Sequence, residues 1–143
     1  MVQVPIGDFM TIDAMPEQDL ARTAPPRVLV VEDEFLIRLH VAEHLRDSGF
    51  TVFEACSGDE ALVMLKAGAI LDLVYTDVRM PGQTDGMDLL GYVRMTQPDV
   101  PVVVTSGHLQ AARAYAAGAG GFVPKPCSPE VIVTVLEATL GAR

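Results

Sequence analysis

Four consecutive apolar residues, Val28-Leu29-Val30-Val31, open the first regular stretch of the chain. Their β-branched character fits a strand buried on both faces. Phe35 to Asp47 then shows helical spacing, with Ile37, Val41 and Leu45 on one stripe and Ser48-Gly49 ending the run. Thr51 to Ala55 alternates as an edge strand does. Ser57-Gly58-Asp59 opens a second helix to about Ala67, closed by Gly68, and Leu71 to Thr76 reads as a third strand. Asp85-Gly86 starts a helix to about Thr96, which Pro98 stops; Pro101 precedes a fourth strand, Val102 to Thr105. A short Ala-rich helix covers Leu109 to Ala117, and Gly121 to Val123 is a brief fifth strand. Ser128 is a good N-cap with Pro129 at the first helical position, so the last helix runs to about Leu140.

Residues 1–26 carry no such period. Pro5, Pro16, Pro25 and Pro26 interrupt scattered apolar residues, which predicts a flexible N-terminal extension ahead of one domain over residues 27–143. Val4, Ile6, Phe9, Met10 and Ile12 leave a second reading open, an arm that docks on a partner.

Strand and helix alternate through the domain without an internal repeat, which predicts an α/β protein with a parallel sheet and helices on both faces. Sites in such sheets lie at the carboxyl ends of the strands, where strand order reverses. Glu32-Asp33-Glu34 ends strand one, Asp77 strand three and Thr105-Ser106 strand four, while strand five runs into Lys125. Three acids in one shallow pocket repel one another unless a cation joins them. Hard carboxylate oxygens suit Mg2+, which favours one or two carboxylates and a phosphate oxygen. Lys125 adds a mobile charge and Thr105 a hydroxyl, the groups needed around a phosphoryl oxygen. With Asp77 as nucleophile, the set reads as acyl phosphate formation. Taken singly, an Asp after a strand is a turn or cap residue, a Lys is solvated surface and a Thr is a strand former.

Composition narrows the partners. Ten Lys and Arg against nineteen Asp and Glu in 143 residues leave a net charge of −9, which disfavours nucleic acid and anionic membrane surfaces. Mean hydropathy is +0.31, yet charged residues break every apolar stretch before it reaches the roughly 20 residues of a membrane helix. The acidic start has no secretory pattern, and Cys56 and Cys127 form no CxxC pair. A cytoplasmic chain with reduced thiols is expected.

The pieces VLVVEDE at 28–34, LVYTDVRMPG at 73–82 with Asp85-Gly86, PVVVTSG at 101–107 and GFVPKP at 121–126 make the chain from Arg27 to Leu140 resemble the receiver domain of two-component response regulators. The resemblance implies a flavodoxin-like sheet of strand order 2-1-3-4-5. It implies that Asp77 accepts a phosphoryl group from a sensor histidine kinase or a histidine phosphotransfer protein. It further implies Mg2+ or Mn2+ ligation by the Asp33 and Asp77 side chains and the Arg79 backbone carbonyl, with Glu32 acting directly or through water. Lys125, before a cis Pro126, then pairs with the phosphoryl group and Thr105 hydrogen-bonds it. Phe122 matches the aromatic switch that turns inward as Thr105 moves. Helix four, strand five and helix five are the face expected to meet a downstream protein partner or a second copy in a homodimer.

Two departures from the family pattern stand out. MPGQTDG has one residue more than the usual MPxMDG before Asp85-Gly86, which puts the geometry of that loop in question. Thr105 to Lys125 is about two residues short, and Ala117-Gly118-Ala119-Gly120-Gly121 is rich in small residues, so helix four is expected to be weak. Phe122 in place of the commoner Tyr removes a hydroxyl from the switch.

His40-Val41-Ala42-Glu43-His44 matches the inverted zinc-protease motif, but the helix is needed for packing and no third ligand stands out in the sequence. The chain stops at Gly141-Ala142-Arg143, directly after the last helix, and the expectation is a single-domain response regulator that catalyses only its own phosphorylation and dephosphorylation. The rivals are the C-terminal receiver portion of a hybrid histidine kinase, an aspartyl phosphatase and a pseudo-receiver that binds partners without phosphorylation. Arg79 stands where such phosphatases carry a second acid, and the complete site disfavours the pseudo-receiver.

Overall fold

Residues 24–142 are described by the computed structural model. The extension read over residues 1–26 lies outside the described residues up to position 23. The elements run β1 Arg27–Val31, α1 Phe35–Asp47, β2 Thr51–Ala55, α2 Gly58–Lys66, β3 Leu73–Asp77, α3 Gly86–Thr96, β4 Val102–Ser106, α4 Ala111–Ala116, β5 Gly121–Pro124 and α5 Pro129–Gly141. All strand pairs are parallel, in the order β2-β1-β3-β4-β5. The strand order reverses at β1 and β3, and their carboxyl ends therefore form the crevice in which α/β sheets place their sites.

Strand alternation divides the core in two. Leu29, Val31, Val74, Val102 and Val104 face the side covered by α2, α3 and α4, where Leu65, Leu89, Leu90, Val93 and Ala114 are buried. Val28, Val30, Leu73, Tyr75, Val103 and Val123 face α1 and α5 and meet Val41, Leu45, Ile132 and Leu136. Each fully buried Leu or Val contributes about 1.5–3 kcal/mol, which fixes the strand ends from below.

Two boundaries and one stripe residue depart from the sequence reading, each for a local reason. The third strand starts at Leu73 rather than Leu71, because Asp72 turns back to accept hydrogen bonds from the Arg27 backbone N–H (2.7 Å) and Nε (3.2 Å). The helix α4 spans six residues rather than the nine read over Leu109 to Ala117. Ser106 Oγ accepts from the N–H groups of His108 (3.0 Å) and Leu109 (2.9 Å), so these donors serve a turn instead. On α1, Ile37 is 40% exposed while Val41 and Leu45 are buried; the first turn of the stripe overhangs the sheet edge. The caps hold as read: Ser57 accepts from the N–H of Glu60 and Ser128 from that of Val131.

Candidate functional site

Glu32 follows β1 directly, Asp77 is the last residue of β3, Thr105 pairs with Asp77 in register on β4, and Lys125 follows β5. The topology therefore brings together residues separated by up to 93 positions. Lys125 Nζ donates to Glu32 Oε1 at 3.1 Å and to Asp77 Oδ2 at 2.9 Å. The other Asp77 oxygen, Oδ1, accepts from the Val78 backbone N–H at 2.8 Å. Glu32 and Asp77 are buried, and Asp33 is exposed at the rim. One carboxylate oxygen from each of the three lies within 4.8 Å of the others. Among the described residues this is the one group of His, Cys, Asp and Glu side chains so arranged.

Neighbouring residues hold the site in shape. Arg38 on α1 donates from Nη1 to the Glu32 carbonyl (2.8 Å) and from Nε to Glu54 Oε1 (3.3 Å), which ties the β1 exit loop to β2. The Lys125 backbone N–H donates to the Ser106 carbonyl at 3.0 Å, and the Lys125–Pro126 peptide bond is cis.

Burial pushes the Glu32 carboxyl up to about 7, assisted by the Asp77 charge and by a hydrogen bond with Asp33, with Lys125 opposing. Burial also works against the Lys125 ammonium, but hydrogen bonds to Asp77 and Glu32 outweigh it and the net shift is upward. The site thus holds more negative charge than one lysine balances. Oxygen-only donors with excess negative charge are the chemistry that binds a small hard divalent cation, so the donor set fits Mg2+.

The remaining residues singled out by sequence fall around this centre. Thr105 is buried, and its hydroxyl donates to the Val123 carbonyl at 2.8 Å. Arg79 is exposed and borders, with Asp33, Asp77, Thr105 and Lys125, an open groove of about 840 Å³ that extends along α1 to the start of α5. Phe122 lies half-buried on the opposite face of the sheet, against the core beneath α3 and α4. His44 Nε2 is 4.0 Å from Glu130 Oε1 on the surface, so an acid does approach the histidine pair, from α5. Cys56 is exposed and Cys127 half-buried.

The longer loop after Asp77 is tightly anchored. Asp59, at the start of α2, accepts from the N–H groups of Gln83 (3.1 Å) and Thr84 (2.9 Å). Gly82 has φ +102°, and a Cβ there would run into Asp59 Oδ2. Asp85 and Asp88 then form a reciprocal cap on α3. Asp59 was read only as part of a helix start, and its spacing to the loop carries no sequence signal. Arg38, which ties the β1 exit loop to β2, likewise carries no signal in the sequence.

A doubly wound sheet of this order, with buried acids and a lysine at its carboxyl edge, is the chemotaxis-regulator variety of the flavodoxin-like fold. The chain belongs to the response regulator receiver domain family, whose model matches residues 28–137. It is similar to the sensor kinase CckA of Brucella abortus (40% identical, covering 79% of this chain and 12% of that protein). It is also similar to the transcriptional regulatory protein PdtaR of Mycobacterium tuberculosis (36% identical, covering 85% of this chain and 60% of that protein). Among solved structures, the chemotaxis response regulator CheY4 of Vibrio cholerae superposes with a TM-score of 0.73 at 30% identity, over 80% of this chain and 98% of that one. The chain thus spans less than two thirds of the length of these two curated relatives. Among the described residues no helix is long and apolar enough to cross a membrane.

Proposed function

We propose that this receiver domain takes a phosphoryl group on Asp77 from a sensor histidine kinase or a histidine phosphotransfer protein and signals through a change of conformation to a downstream protein. One observation carries the reading: Lys125 bridges Asp77 and Glu32 inside a three-carboxylate cluster. An Asp77 oxygen attacks phosphorus, the phosphorus–nitrogen bond of the phosphohistidine breaks, and the imidazole leaves with the nitrogen electron pair. Hydrolysis reverses the modification when water attacks the same phosphorus and releases inorganic phosphate. Glu32, Asp33, the Asp77 side chain and the Arg79 carbonyl would hold Mg2+ or Mn2+, which neutralises charge developing on the phosphoryl oxygens. Lys125 and Thr105 supply the remaining donors. On this reading the chain turns over no separate metabolite and acts as a stand-alone regulator. The similarity to a sensor kinase at 40% identity supports a second reading, a receiver portion of a hybrid kinase; the phosphoacceptor chemistry is the same in both.

Incubation with acetyl phosphate and Mg2+ tests the assignment. Wild type should gain one phosphoryl group by intact mass, and Asp77→Asn should gain none. Equal labelling of the variant would refute the site. Transfer from a purified histidine phosphotransfer protein, rather than from small phosphate esters, would separate the regulator from a phosphatase.

A further inference from the structure

Most basic side chains among the described residues have a partner. Arg27 pairs with Asp72, Arg38 and Arg46 with Glu54, and Lys125 with Glu32 and Asp77. Arg94 donates to the Pro98 carbonyl at 2.7 Å, and Lys66 lies over the Tyr92 ring. Arg79 and Arg113 differ: both are exposed, and among the described residues neither guanidinium has a hydrogen bond, ion pair or ring contact.

These two arginines line the same cleft. It measures about 240 Å³, with Val78 and Arg79 on one side and Ser106, His108, Leu109 and Arg113 on the other. Val78 and Leu109 are half-buried and pack against the core, so the cleft offers apolar surface beside two cations. Ser106 is buried; its Oγ accepts from the N–H groups of His108 and Leu109 and keeps its own proton for an incoming oxygen.

Like charges facing one small cavity repel each other unless an anion joins them. A guanidinium presents parallel donors that match a carboxylate. The chain as a whole carries −9, so an acidic partner is repelled over most of the surface and drawn to where unpaired cations gather. A cavity smaller than ordinary ligand pockets receives one or two side chains rather than a cofactor.

We propose that this cleft docks an acidic segment of a partner protein, with carboxylates on Arg79 and Arg113 and an apolar side chain against Val78 and Leu109. The cleft shares Arg79, Ser106 and His108 with the groove that contains Asp77, so a docked segment borders the acidic site. The inference does not depend on phosphorylation of Asp77.

Fluorescence anisotropy with labelled peptides tests the assignment on the full chain. One peptide carries a leucine flanked by glutamates, a second the same leucine flanked by glutamines, and a third the glutamates with serine for leucine. The wild type should prefer the first, and added salt should weaken its binding. An exposed ion pair corresponds to about a two- to fivefold effect, so Arg79→Gln and Arg113→Gln should each weaken binding by that factor. Arg46→Gln removes an equal charge where the side chain already pairs with Glu54, and it should leave binding unchanged. Equal binding of the three peptides overturns the proposal, as does an equal loss in all three variants. Two other occupants have their own signatures, and either result also overturns it. Inorganic phosphate that displaces the peptide as readily as unlabelled peptide does would make the cleft a small-anion site. A wild-type dimer in sedimentation that Arg79→Gln and Arg113→Gln dissociate would assign the cleft to a second copy.

Discussion

Lys125 donates to Asp77 across 2.9 Å although 48 positions separate them in the chain, and the same ammonium reaches Glu32 at 3.1 Å. Its ammonium offsets the mutual repulsion of the Glu32 and Asp77 carboxylates. Lys125→Met keeps most of the stem and removes the charge, leaving two buried carboxylates facing each other. Breaking such a pairing costs about 3–5 kcal/mol when fully buried; Lys125 is one-third exposed, so about 1–3 kcal/mol is expected in metal-free buffer. Mg2+ should then raise the thermal midpoint more in the variant than in wild type, because the ion replaces the missing charge. Scanning calorimetry with and without Mg2+ checks this, and equal increments in the two proteins would contradict it.

Glu32 gives a pH dependence with a defined sign. Its carboxyl titrates near 7 in the folded chain against 4.5 for the ordinary group, so the folded state holds this proton to higher pH than the unfolded state. The resulting contribution to stability is complete below pH 4.5 and is lost as pH rises toward 7. A divalent cation competes with that proton. The gain in thermal midpoint from Mg2+ should therefore grow between pH 5 and about 7.5, and Glu32→Gln should flatten the growth. A wild-type gain that is constant over this range would argue against the role given to Glu32.

Asp59 should matter more than its half-buried place at the start of α2 suggests. Its carboxylate accepts from two backbone N–H groups of the β3–α3 loop, and those bonds hold its pKa below the usual range, the Thr84 side chain contributing first. The stability this confers is present above the ordinary Asp range near pH 4 and fades as pH falls through the lowered value. Asp59→Asn should lower the thermal midpoint at pH 7 and leave a smaller difference from wild type near pH 3. Hydrogen exchange at Gln83 and Thr84 should quicken in the variant, and unchanged protection there would show that the loop is held by other means.

The sequence revealed the sheet, its helices and the four strand ends because each rests on local pattern: β-branched runs, helical spacing, and Ser57, Asp85 and Ser128 at caps. The convergence of Asp77 and Thr105 was legible because parallel strands end at one edge of the sheet whatever lies between them. Tertiary closeness was not legible. Asp59 and Thr84 meet only because α2 and the β3–α3 loop come together over the same end of the sheet, and the extra loop residue gave no hint of its anchor. The weakness expected of the fourth helix shows as a span of six residues, and its start is later than the Ala-rich pattern predicts because Ser106 captures the N–H groups of His108 and Leu109.

Gly86 and Gly91 lie on the same helix and should respond in opposite directions to one added methyl group. A Cβ at Gly86 would meet the Asp77 backbone carbonyl and Val78 Cα, and the Gly86 N–H donates to the Val78 carbonyl at 2.9 Å. Neither backbone can yield without moving Asp77 itself. Gly86→Ala should cost about 1–3 kcal/mol or more as an overpacked backbone contact, and should slow labelling by acetyl phosphate. Gly91 is exposed in the middle of α3, and a Cβ there meets nothing within 4 Å. Alanine relieves the entropy loss of a helical glycine, so Gly91→Ala should add about 0.5–1 kcal/mol and leave labelling unchanged. Urea denaturation with the phosphorylation assay on both variants decides the matter. If Gly86→Ala retains wild-type stability and labelling, the close seat of α3 against the end of β3 does not constrain Asp77.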